Sequence, residues 1–123
     1  MVEKWSLRTP SRGDIIRVNL NNKYYHYGIY VDDDTIIQYG RFDDMLKKNA
    51  SDIEVLITNI SDFSFKKFVE VYNYSLKEKL KKNKPDIVIK KAMSRLGEQK
   101  YNIVNNNCEH FVYECVFNKH DIF

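Results

Sequence analysis

The chain has 123 residues, 43% hydrophobic and 14% aromatic, enough apolar surface for one compact core and too much for a disordered polymer. Its net charge of +3 is too small to point to nucleic acid. No apolar run approaches the ~18–20 residues that span a bilayer, and Glu3, Lys4 and Arg8 stand where a signal peptide would be apolar. The expectation is a single cytoplasmic domain over 1–123, at most peripheral at membranes.

The first half reads as β. Ile16, Val18 and Leu20 alternate with polar neighbours, which predicts a strand over 14–20. Asn21, Asn22 and Lys23 follow as a turn. Tyr25, Tyr27, Ile29 and Val31 then define the inward phase of a second strand, leaving His26, Gly28 and Tyr30 on its other face. Asp32, Asp33 and Asp34 read as a three-residue hairpin loop, with Val31 facing Thr35 and a third strand over 35–39. A fourth strand, rich in β-branched residues, is expected over 53–60.

The second half reads as α, with three helices expected. Phe65, Phe68, Val69, Tyr72, Leu76 and Leu80 recur at helical spacing behind Asp62 or Ser64 as an N-cap. Pro85 opens the next helix, with Ile89, Ala92, Met93 and Leu96 as its buried stripe and Gly97 as its C-cap. After Tyr101 and Ile103 the last helix begins near Cys108, with Phe111, Val112, Cys115 and Val116 on one stripe. Strands before helices argue for an α+β layered domain with an antiparallel sheet of about four or more strands.

Charge is uneven along this order. The stretch from Lys66 to Lys91 holds nine Lys against Glu70, Glu78 and Asp86. A solvated helical face explains that excess, and peripheral contact with an anionic membrane is the sharper alternative.

Cys108 follows Asn105, Asn106 and Asn107 at the start of the last helix. Asn is a favoured N-cap, and a thiol in the first helical turn meets unpaired N–H groups that favour its thiolate. Those donors also suit an oxyanion. The same stripe equally suits a small core residue. Cys115, about 10 Å further along one helix, is too far for a disulfide and reads as core.

His26 is a candidate general base, or an ordinary hydrogen-bonded histidine. With the three-residue loop, Gln38 falls diagonal to His26 on the same sheet face at roughly 7 Å between Cβ atoms. It could orient the imidazole as the third member of a triad, or be a polar residue at a strand end. His110 lies about 200° around the helix from Cys108, so a supporting role fits it better. His120 falls in a tail. No metal spacing joins the cysteines and histidines, and no cofactor is expected.

The run Asn107-Cys108-Glu109-His110-Phe111-Val112 resembles the Asn-Cys-Glu-His-Phe signature of the lecithin:retinol acyltransferase-like family. Residues 24–31, from Tyr24 through His26 to Val31, resemble its histidine strand, and Gly13-Asp14-Ile15-Ile16 its opening strand. The resemblance implies a permuted papain-like (NlpC-like) fold with the catalytic Cys at the N-terminus of the last helix. It further implies an acyl-thioester on Cys108, with His26 as base and Gln38 in place of the second histidine common in animal members. Tyr24, Asn107 and His110 become support residues. The implied donor is a phospholipid or other acyl ester, and the acceptor an alcohol, an amine or water. An NlpC-type amidase and a non-catalytic binding module are the competing readings.

Overall fold

The computed structural model describes residues 3–21 and 24–118, and its account of Asn21, Met45 and Leu46 is confined to the backbone. Asn22 and Lys23 of the expected turn, and His120, lie outside the described residues. The strands are β1 (Trp5–Ser6), β2 (Ile15–Asn21), β3 (Tyr24–Asp32), β4 (Thr35–Tyr39), β5 (Val55–Thr58) and β6 (Glu70–Tyr72). They form one antiparallel sheet in the order β1-β6-β2-β3-β4-β5. The helices are α1 (Asp44–Lys47), α2 (Ile60–Ser64), α3 (Leu76–Lys81), α4 (Pro85–Met93) and α5 (Cys108–Phe117), with a 3-10 turn at Ala50–Asp52.

Both faces of the sheet are covered, and alternation along β3 divides them. Tyr27 and Ile29 join Ile15, Ile37, Tyr39, Phe111, Val112 and Val116 in the larger core, under α4 and α5. On the opposite face Ile16, Val18, Ile36, Phe42, Phe63 and Val71 make a smaller core under α2. Gly28 belongs to that second face, where an added Cβ would sit 2.7 Å from the Phe63 ring. No other side chain fits there without moving the aromatic.

The β3–β4 hairpin turns through two residues, not three. Asp32 pairs with Thr35, and Asp33-Asp34 form the turn, with an Asp34 N–H donating to Asp32 Oδ1 at 2.9 Å. A register irregularity between Tyr30 and Asp32 absorbs the difference. Beyond it, Ile29 faces Ile37 and Gly28 faces Gln38, the register that the three-residue loop also predicts.

The helix expected across 65–80 does not form. Its centre is β6, where Val71 and Tyr72 pair with Ser6 and Trp5, and Arg17 on β2 bonds Glu70 at 3.0 Å. The β-branched and aromatic residues there gain more from a place between β1 and β2 than from a helix. Asn59 caps α2 in place of Asp62 or Ser64, and Ser75 caps α3 in a reciprocal pair with Glu78. Phe68, Leu76 and Leu80, expected in the core, are 83%, 82% and 89% exposed. Helix α4 buries Val88, Ile89 and Ala92 but ends at Met93, so Leu96 lies beyond it and is exposed. Lys66 to Lys91 is therefore spread over a turn, a strand and two helices, not one basic flank.

Candidate functional site

Helix α5 starts where its cap dictates. Asn107 Oδ1 accepts the N–H groups of Glu109 and His110, each at 3.0 Å. The Asn107 carbonyl takes the Phe111 N–H. The His110 ring closes the cap from the other side, with Nδ1 2.8 Å from Asn107 Oδ1. Two N–H groups that a helix start leaves open are thus satisfied by one side chain, whose own carbonyl accepts the first intrahelical bond. The Cys108 N–H lies outside this cap.

Cys108 itself is 6% exposed and packs in the larger core beside Tyr27 and Tyr101. The helix start was expected to lower its pKa, and the balance falls the other way. Burial pushes the thiol up to about 11, while the N–H groups of Tyr27, Cys108 and Glu109 pull it down by less. Desolvation of the anion outweighs three dipoles, so the resting state is a neutral thiol. Cys115, a turn and more along α5, is raised to about 12, chiefly by burial. Both cysteines are free.

On the other face, three side chains form a diagonal across β3, β4 and β5. His26 Nε2 lies 2.6 Å from Gln38 Oε1, and Gln38 Nε2 donates to Thr58 Oγ1 at 2.5 Å. Register explains the line. Gly28 opposes Gln38 and Ile36 opposes Thr58, so each partner is one diagonal step from the next on one face. Because the Gln38 oxygen only accepts, Nε2 carries the ring proton and Nδ1 holds the lone pair. His26 packs on Phe63 at 5.4 Å between ring centroids.

Burial lowers the His26 pKa below 6.5, against the opposing pulls of Gln38, the Asp44 carboxylate and the Gly40 backbone. The ring is therefore neutral near pH 7, with three partners that favour its charged form once a proton arrives. Asp44 and Thr58 were not singled out in the sequence. Asp44 is itself buried and accepts the Arg41 N–H at 2.7 Å.

Nucleophile and base candidates thus come from opposite faces of the same strand. They meet at the backbone: the Tyr27 N–H, in the peptide that leaves His26, points at the Cys108 thiol. The neutral imidazole is held by Gln38 Oε1, not by the sulfur, and the Gly40 backbone favours only its protonated form. Tyr24 opens β3 and is exposed.

Gln38 also lines a cleft of about 680 Å³ with Arg41, Phe42, Ser61, Phe65 and Lys66. Asp43 and Asp62 complete its lining, and this mixture of aromatic wall and charges of both signs suits an amphipathic ligand. A concavity of about 820 Å³ walled by Lys4, Arg8, Tyr74, Leu76 and Lys79 includes none of these site residues. Among the described residues no group of three or more His, Cys, Asp or Glu is placed to hold a metal ion. Among them, too, no helix is long and apolar enough to cross a membrane.

Comparison with known proteins adds two findings. A family model described as "Lecithin retinol acyltransferase" matches residues 8–121. A human protein named "Phospholipase A and acyltransferase 4" is 25% identical over 118 residues, covering 89% of this chain and 71% of that protein.

Proposed function

The chain belongs to the lecithin retinol acyltransferase family, and from that premise we propose that it is a thiol acyltransferase or phospholipase A-type hydrolase of glycerophospholipid esters. In this reading Cys108 is the nucleophile, His26 the base and Gln38 the residue that orients it, on a permuted papain-like fold. The observation that carries the reading is the buried His26–Gln38–Thr58 line. It fixes the imidazole tautomer with Nδ1 as the acceptor, on the residue whose outgoing peptide touches the thiol.

The steps follow from the groups present. Nδ1 of His26 takes the proton of the Cys108 thiol as the sulfur attacks an ester carbonyl. The ring has to reach the sulfur from the other face of β3 to do so, a local rearrangement that substrate binding would drive. The Cys108 N–H supports the oxyanion. Collapse expels an alkoxide, which takes the proton back from the imidazolium and leaves a thioester. Water, an alcohol or an amine then attacks that thioester, with His26 taking its proton and the thiol restored. A thiol that rests neutral and an imidazole that rests neutral suit this general-base route better than a standing thiolate.

The buried, raised thiol favours a second reading, a non-catalytic binding module on the same scaffold. Turnover of a phospholipid panel set against a γ-glutamyl-type peptide decides between lipid esterase, amidase and module. The proposal expects ester cleavage abolished by both Cys108→Ala and His26→Ala. Peptide cleavage alone would make it an amidase, and silence on both substrates a module.

A further inference from the structure

The sheet has two ends, and its register shows which one holds His26. Val18 opposes His26 and Asn19 opposes Tyr25 on the β2–β3 ladder. On the other side of β2, Arg17 opposes Glu70, the first residue of β6. Because β6 runs antiparallel to β2, residues 65–68 continue toward Asn19 and reach the His26 end. The concavities agree. Lys66, Lys67 and Phe68 share one with Leu7, Asn19 and Tyr25, while Phe65 and Lys66 share the other with Gln38.

This turn reads Phe65-Lys66-Lys67-Phe68 and is held in an unusual backbone. Phe65 and Lys66 both have positive φ, 50° and 64°, a region that bulky residues avoid. It is fixed from beneath. The Phe65 ring stacks on the buried Phe42 at 4.9 Å and 11°, and the Phe65 and Lys67 N–H groups bond the carbonyls of Ser61 and Ser64. Strain of this kind persists only where surrounding contacts impose it. The result holds Phe65 57% and Phe68 83% exposed, beside two lysines.

The nearby acids are mostly committed elsewhere. Glu70 pairs with Arg17 and Asp43 with Lys47, which leaves Asp62 against Arg41, Lys66 and Lys67. An apolar tip within a cationic rim complements a surface that is apolar inside and anionic outside.

We infer that the Phe65–Phe68 turn docks the protein on anionic lipid bilayers, with the His26 end of the sheet facing the membrane. The surface is independent of the thiol chemistry, though it would bring the proposed phospholipid substrate to the cleft at Gln38. Another exposed apolar pair, Leu76 and Leu80 on α3, lies past the far end of β6 and serves as the internal control.

The test is flotation of the full chain with phosphatidylcholine vesicles, with and without one-third phosphatidylserine, alongside turnover of a soluble short-chain ester. Binding is expected only with phosphatidylserine. Phe68→Ser and Lys67→Glu should each weaken it at least about fivefold while leaving short-chain ester turnover unchanged. The Leu76→Ser/Leu80→Ser pair should bind normally, and so should Cys108→Ala, which separates docking from chemistry. Absence of vesicle binding by the wild type, binding that survives both turn variants, or loss confined to the α3 pair would each overturn the inference. Capture by polyglutamate without vesicle binding would do the same, pointing to an acidic protein partner.

Discussion

The two faces of β3 are built for different ends. Under α5 the contacts are almost wholly apolar, and Phe111, Val112 and Val116 are fully buried around Cys108. Under α2 a smaller apolar core encloses a polar line, His26, Gln38 and Thr58, with its hydrogen bonds satisfied in place. The first face secures the helix that presents the sulfur. The second fixes the tautomer of a buried imidazole. One strand serves both because successive side chains point to opposite sides, so the proposed nucleophile and base are held by separate cores and coupled through a single peptide.

That division can be broken from either side. Phe111→Ala and Phe63→Ala should each cost about 3–5 kcal/mol in denaturant unfolding. Only the Phe63 change should also move the His26 titration, read by NMR, because Phe63 packs on that ring. Equal disturbance of His26 by both would mean that the faces are not separate. Gln38→Leu should cost about 1–3 kcal/mol by stranding Thr58 and the ring N–H in a buried site. It should also lower turnover well below wild type, whereas Gln38→Glu should restore part of the rate with a shifted pH profile. Gly28→Ala is expected to cost about 1–3 kcal/mol, since its Cβ would press on Phe63 at 2.7 Å and Ile36 at 3.0 Å.

The smallest effect is on pH dependence. His26 is lowered from 6.5 mainly by burial, so the unfolded chain takes up its proton before the folded one does. The stability held above pH 6.5 should therefore fall as the pH drops below that value. His26→Gln should flatten the slope, and an unchanged slope would place the titrating group elsewhere.

What the sequence showed follows the range of its interactions. The tight β3–β4 hairpin fixes register within a few residues, so the diagonal between His26 and Gln38 could be drawn from alternation alone, even with the turn length off by one. Thr58 was out of reach because a long connection separates β4 from β5 and no turn sets their register. The stretch 65–80 misled for a physical reason. Phe68, Leu76 and Leu80 have helical spacing, yet they are surface groups on a turn and a short helix, and periodicity alone does not report burial. The helix start at Cys108 was legible through its Asn cap. The direction of the thiol's pKa was not, because desolvation depends on everything packed around the sulfur.

The most direct test is the mass of the intact protein after brief exposure to a phospholipid, followed by peptide mapping. The account predicts a single acyl mass on the peptide carrying Cys108, labile to hydroxylamine and absent from Cys108→Ala. Steady release of fatty acid with no adduct under any quench, and with full activity in Cys108→Ala, would contradict it.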